Sequence, residues 1–284
     1  MSTKVTRRWR TASAALLLVV ALLTGCGLPA GGQPGTGPVT AEPPVAAEPQ
    51  PSGPATVTAA GRPTGVAGVP TGSTPAADIT YPATGGNRWT TAPAEATLTG
   101  ATDGRLLRYR IAVERDIRGL PVGDVATAIS ATLNDPRGWT AGGTWRLRRV
   151  GAGEPADLTI YLATPGTRDT LCQDVPDAYT SCRNGARVVL NVARWVKGVP
   201  GYGASLTTYR EYMVNHEVGH KLGFGHERCP RRGRAAPVMQ QQTLGLHGCT
   251  ANAWPYPTGT DRYRGPVGAY DDDIPRREGA YPAP

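Results

Sequence analysis

The stretch NHEVGHKLGFGHERC, residues 215–229, contains the pattern that is most informative about the fold and the function of this chain. It holds three of the four histidines of the whole chain, His216, His220 and His226. Residues four apart share one face of an α-helix, so the imidazoles of His216 and His220 can reach a single ion. Because Glu217 directly follows the first histidine, the pattern predicts a metal site with a carboxylate beside an open coordination position.

The helix that carries this pattern is predicted over residues 205–222. Leu206, Tyr209 and Met213 precede the histidines at steps of three and four and continue the same apolar face. Gly223 is expected to end the helix, because glycine adopts the left-handed conformation at little cost. The chain can then double back, so that His226 supplies a third ligand.

The string from His216 to His226 matches H-E-x-x-H-x-x-G-x-x-H at every fixed position and resembles the metzincin zinc peptidases. The resemblance implies an α+β fold with a twisted mixed sheet, a first helix, a zinc-binding helix and a small C-terminal subdomain. It also implies one catalytic zinc on His216, His220 and His226. Glu217 would be the base that activates a water at the open position of the zinc, for peptide-bond hydrolysis.

Metzincins also have a methionine-containing turn beneath the metal, and the resemblance assigns this role to Met239. Glu227 after the third histidine is most similar to the astacin version, but Gln241 stands where astacins have a tyrosine. Because metzincin substrates lie along an edge strand, we expect residues 164–185 to form the rim of the cleft. The short domain, the LTGC sequence at residues 23–26 and the proline-rich residues 27–87 resemble an uncharacterised lipoprotein family of GC-rich Gram-positive bacteria.

Residues 1–26 have the pattern of a targeting segment, with four basic residues before a thirteen-residue apolar run that is too short to span a bilayer. The following LTGC resembles a lipobox and predicts lipidation of Cys26, although an ordinary secretory signal remains the alternative. We therefore expect anchorage at the extracellular face of the cell membrane, or secretion if Cys26 is not lipidated.

Composition divides the rest of the chain. Residues 27–87 are rich in Pro and Gly, which predicts a disordered tether. We expect residues 88–255 to form the catalytic domain and residues 256–284 to form a poorly ordered tail. Within the domain, residues 105–114, 144–150, 157–163 and 186–193 are predicted strands. Residues 121–135 form a predicted helix, with Asp124 as its N-cap.

Four cysteines remain beyond Cys26, an even number that favours disulfides in an exported protein. Three pairings are possible, of which the nearest-neighbour pairing Cys172–Cys182 and Cys229–Cys249 is the most economical. The absence of a C-x-x-C pair argues against a cysteine zinc site.

The formal charge of +8 includes four positive residues of the targeting segment, and no basic repeat indicates nucleic acid. We expect a monomer that acts on a peptide or protein of the cell envelope. The rival interpretations are a non-catalytic envelope lipoprotein with a structural zinc and a hydrolase of non-peptide amides or peptidoglycan cross-links.

Three features stay open on the sequence alone. His247 is a fourth zinc ligand, an oxyanion donor or a surface residue. The arginines at 228, 231, 232 and 234 favour acidic substrate groups or form a solvated loop. Tyr202, Tyr209 and Tyr256 are candidate hydrogen-bond donors to the transition state, and the sequence does not select one of them.

Overall fold

The computed structural model describes residues 78–282, which belong to one compact unit, Val69–Pro284. The predicted targeting segment, Cys26 and the tether up to residue 77 lie outside the described residues. Among the described residues, no helix has the length and apolar character needed to cross a membrane.

Seven strands and four helices make up the described part of the chain. The strands are β1 (Trp89–Thr91), β2 (Leu98–Thr99), β3 (Arg105–Glu114), β4 (Trp145–Arg149), β5 (Leu158–Ala163), β6 (Cys182–Asn184) and β7 (Arg187–Asn191). The helices are α1 (Val122–Asn134), α2 (Pro165–Cys172), α3 (Val192–Lys197) and α4 (Leu206–Lys221).

The strands form one mixed sheet in the order β2-β4-β3-β5-β7-β6. Its centre is parallel, because β3 pairs in parallel with both β4 and β5, and β5 pairs in parallel with β7. Antiparallel strands β2 and β6 form the two ends of this order, and β1 pairs antiparallel with the second half of β3. This mixed sheet with few helices agrees with the predicted α+β class.

The alternating apolar residues of β3 explain why this strand lies at the centre of the sheet. Leu107, Tyr109 and Ile111 are buried on one face, against helix α1. The hydroxyl of Tyr109 also makes a buried hydrogen bond with Ser130 of that helix. Helix α1 begins one residue later than predicted; Pro121 is its N-cap, and Asp124 lies in its first turn.

Helices α2 and α3 and the short strands β1, β2 and β6 were not predicted. The predicted strand 186–193 ends at Asn191, whose side chain accepts a hydrogen bond from the backbone N–H of Ala193 and caps α3. This cap converts the end of a continuous apolar run from strand into helix.

Packing contacts lie beyond both predicted domain boundaries. Tyr81 is buried, and its backbone pairs with that of Tyr281. At the other end, in the segment predicted as a poorly ordered tail, residues 256–284, Arg262 pairs with Glu227 at 2.5 Å. Long-range pairs of this kind hold segments whose composition alone predicts disorder.

Candidate metal centre

Helix α4 positions the first two histidines and Glu217. It begins after Ser205, whose hydroxyl accepts a hydrogen bond from the backbone N–H of Thr208 at 3.0 Å. Its apolar face packs into the core through Tyr209 and Met213, so the last turn points its histidines toward the interior.

The turn after α4 brings the third histidine back to the helix. Gly223 has a φ of 99°, which L side chains rarely adopt. The backbone N–H of Gly223 donates to the carbonyl of His220, and that of Phe224 donates to the carbonyl of Gly219. These two bonds define a Schellman motif. The predicted helix stop is thereby confirmed at Gly223.

The three imidazoles converge through the same ring atom. Nε2 of His220 lies 3.1 Å from Nε2 of His216 and 3.1 Å from Nε2 of His226. The three residues form a group whose ligand atoms all lie within 4.8 Å of one another. Among the residues from 78 to 282, no fourth histidine, cysteine or carboxylate belongs to this group.

Backbone carbonyls set the tautomers of two of these rings. The carbonyl of Val238 lies 2.8 Å from Nδ1 of His216, and that of Phe224 lies 2.9 Å from Nδ1 of His220. Because a carbonyl only accepts, each Nδ1 carries the proton and each neutral ring presents a lone pair at Nε2. Two lone pairs that face each other at this distance repel unless a cation lies between them.

A proton on one of the Nε2 atoms could act as that cation, but burial makes protonation of these rings unfavourable. Desolvation lowers the pKa of His226 to about 4 and also lowers the pKa of His216 and of His220, so all three rings are neutral near pH 7. A divalent metal ion suits such a donor set, because neutral imidazoles are common ligands of zinc. The residues present therefore fit the metal that the sequence pattern predicts.

Glu217 lies beside the histidines in the wall of the same cavity. Desolvation raises the pKa of its carboxyl to about 8, although the nearby Arg168 opposes this change. Its Oε2 is buried without a hydrogen-bond partner. A buried carboxylate oxygen that the protein does not satisfy is a group available to a ligand or to a water.

Met239 lies directly beneath the helix that carries the histidines. It is fully buried in the turn from Pro237 to Gln240, and the preceding residue supplies the carbonyl that fixes His216. A Cβ on Gly219 would lie 2.4 Å from the sulfur of Met239 and 2.6 Å from Trp139. The glycine inside the H-E-x-x-H pattern thus permits the close approach of helix and turn.

The cavity around the histidines has a volume of about 590 Å³. One wall is the segment from Asp174 to Arg183, which includes the start of edge strand β6, and this agrees with the predicted rim at 164–185. Arg168, which is 1% exposed, holds that wall through ion pairs to Asp174 at 2.9 Å and Asp177 at 3.3 Å.

Both disulfides have the predicted nearest-neighbour pairing. Cys172–Cys182 joins the end of α2 to the start of β6 and closes the loop that forms the cavity wall. Cys229–Cys249 closes the loop that contains Met239. The first disulfide therefore restrains the wall of the cavity, and the second restrains the loop beneath the histidines.

His247 lies outside the group of three histidines. Its Nε2 is 2.9 Å from a carboxylate oxygen of Asp272, and its ring stacks on Tyr270. This placement favours the surface interpretation over a fourth ligand.

The remaining open candidates also lie outside the cavity lining. The arginines at 228, 231, 232 and 234 are exposed, and the arginines that line the cavity are Arg168 and Arg183. The hydroxyl of Tyr202 donates to Gln242, and that of Tyr209 pairs with Thr243. Tyr256 lies near Gly142.

Sequence reasoning missed several residues of the cavity. Tyr212 is detectable in retrospect, because it lies four residues before His216 on the same helical face, and its ring lies 5.4 Å from that imidazole. Arg183, Leu244 and Ile274 also line the cavity, but they come from distant segments that carry no local signal.

A family model described as a protein of unknown function (DUF3152) matches residues 75–257. The match covers more than half of the chain, so this protein belongs to that family. No curated protein and no solved structure matches the chain.

Proposed function

We propose that this protein is a zinc-dependent peptidase of the cell envelope, anchored outside the cytoplasmic membrane through Cys26. The observation that carries the proposal is the convergence of three Nε2 atoms, with two rings fixed as Nδ1–H tautomers, beside an unpartnered buried carboxylate oxygen.

The number of ligands favours a catalytic over a structural role. Structural zinc sites use four protein ligands, whereas catalytic sites use three and keep a position open for water or substrate. Three histidines and no fourth protein ligand are found among residues 78–282. His220 and His226 are also only partly buried, and they line a cavity large enough for a peptide segment.

Each residue of the site has a separate task in the proposed reaction. His216, His220 and His226 hold the ion, which when bound supplies a Lewis acid and activates water. Glu217 accepts a proton from the attacking water and returns it to the leaving amine. Its elevated pKa in the metal-free protein reflects burial, which the positive charge of a bound ion opposes.

The direct test is peptide cleavage by the zinc-loaded full chain and by its Glu217→Gln variant, with bound zinc quantified in both. We expect the wild type to cleave members of a diverse peptide library and the variant to retain one zinc with activity lower by about 10²-fold or more. Zinc retained by both proteins with no cleavage by either would contradict a peptidase function. Equal cleavage by both would contradict the role of Glu217.

A further inference from the structure

The C-terminal segment of the chain runs along the cavity that contains the histidines. The side chain of Ile274 lines this cavity together with His216 and His226. Neither helix nor strand is present from residue 270 to residue 280, so side-chain contacts hold this segment in place. We call residues 272–278 the strap.

Two sets of side-chain contacts hold the strap, one on each side of Ile274 in the sequence. Nε2 of His247 lies 2.9 Å from a carboxylate oxygen of Asp272, and His247 belongs to the loop closed by Cys229–Cys249, which also carries Met239. Arg277 pairs with Asp169 of α2 at 2.6 Å and donates to the carbonyl of Pro176 at 2.6 Å, within the segment from Asp174 to Arg183 that forms a cavity wall. The strap therefore connects the loop that carries Met239 with α2 and this wall, and Ile274 lies between the two sets of contacts in the sequence.

The far end of the strap is held more strongly. Glu278 pairs with Lys197 and with Arg194, which is 2% exposed. Releasing Glu278 would leave a buried guanidinium without its carboxylate partner, which is strongly unfavourable. Tyr281 also pairs with Tyr81 through backbone hydrogen bonds. Opening is therefore expected to involve residues 272–277 and to leave the end at Glu278 attached.

Arg277 is the weakest of these anchors. Its side chain is 56% exposed, and exposed ion pairs contribute little to stability. The cavity that Ile274 lines is also lined by Val175, which is 79% exposed, and by the partly buried Leu244, and Ile274 itself is 45% exposed. An aliphatic side chain that covered these residues more fully would bury apolar surface.

We propose that the part of the cavity lined by Val175 and Leu244 is a docking surface for a polypeptide segment with an aliphatic side chain, and that the strap, through Ile274, is its resident occupant in this chain. A peptide substrate then competes with the strap for this surface. The competition with substrate rests on the proposed peptidase function, whereas the seating of the strap does not.

The test compares Arg277→Ala with Arg276→Ala in the full, metal-free chain. Arg276 is the exposed neighbour of Arg277, so its truncation removes a similar side chain without removing the anchor. Two readouts are taken: the rate at which a protease specific for acidic residues cleaves the chain at Asp271–Asp273, and the rate at which diethyl pyrocarbonate modifies His220 and His226. Neither readout requires zinc or activity.

For Arg277→Ala we expect both rates to rise roughly threefold or more, and for Arg276→Ala we expect both to stay at the wild-type value. Faster cleavage with unchanged histidine modification would overturn the proposal, because the strap would open without uncovering the cavity. Unchanged cleavage in Arg277→Ala would overturn it as well, because Arg277 would not hold the strap.

Peptide kinetics separate this proposal from the function on which its second part rests. With a peptide that the zinc-loaded wild type cleaves, Arg277→Ala is expected to lower KM severalfold at unchanged kcat, because the strap acts only as a competitor. An unchanged KM overturns the competition. If no variant cleaves any peptide, the proposed function fails, and the rates of cleavage within the strap and of histidine modification still decide whether the strap occupies the cavity.

Discussion

Glu217 and the three histidines respond to the same burial in opposite directions. Burial raises the pKa of the Glu217 carboxyl to about 8 and lowers the pKa of the His226 imidazole to about 4. Both shifts favour the neutral form. The three imidazoles and Glu217 of the metal-free site are therefore all uncharged near pH 7, and binding of a divalent cation favours release of the Glu217 proton.

The raised pKa of Glu217 predicts a pH-dependent effect of its removal. The folded metal-free protein keeps a proton on Glu217 up to about pH 8, whereas the unfolded chain releases it near the ordinary pKa of 4.5. The contribution of this group to stability is therefore lost as pH rises between these values.

Glu217→Gln removes this titration with little change of shape. With a chelator present, we expect the variant to exceed the wild type in free energy of unfolding by about 5 kcal/mol at pH 9, and to differ from it by less than about 1 kcal/mol at pH 5. Urea unfolding at the two pH values measures this difference. A variant with the same advantage at both values would show that ionisation of Glu217 is not the cause.

Residue spacing alone predicts the three histidines and Glu217, because a helical repeat and a glycine stop fix their relative positions. The tautomers were not predictable in this way. They depend on the carbonyls of Val238 and Phe224, and only the second lies within the motif.

At the scale of elements, the close contact between α4 and the turn at Met239 shapes the floor of the site. Gly219 has no room for a side chain, because Met239 and Trp139 lie against it. Gly225, in the same motif, has open space where a Cβ would lie, and its φ is not positive. These two glycines therefore form a matched pair for mutation.

We predict that Gly219→Ala lowers the free energy of unfolding by about 1–3 kcal/mol, because the added methyl group forces helix and turn apart. Gly225→Ala is expected to change it by less than about 0.5 kcal/mol. Chemical denaturation of both variants tests this difference. Equal effects of the two substitutions would argue against the tight contact beneath the histidines.

Long periodic elements were predictable, whereas short elements were not. Strands β3, β4, β5 and β7 and helices α1 and α4 were recognised from their apolar residues and the turn residues between them. Helix α3 escaped recognition because it continues the apolar run of β7, and β6 is only three residues long. The identity of β6 as an edge strand follows from its pairing with β7, which no local pattern records.

At the scale of the whole molecule, the cavity collects residues from segments far apart in the chain. Arg168, Arg183 and Ile274 lie well outside the histidine motif, and the last belongs to a segment whose composition predicted disorder. Composition reports how much apolar surface a segment can bury, but it does not report specific partners. The pairs Arg277–Asp169 and Glu278–Arg194 are such partners.

The measurement that tests the central claim most directly is zinc binding by the full chain, compared between His226→Asn and His247→Asn. Each variant removes one imidazole, but only the first removes one from the convergent group. We predict one zinc per chain for the wild type and for His247→Asn, with binding lost or strongly weakened in His226→Asn. A wild type that binds no zinc, or equal binding by the two variants, would contradict a metal centre at His216, His220 and His226.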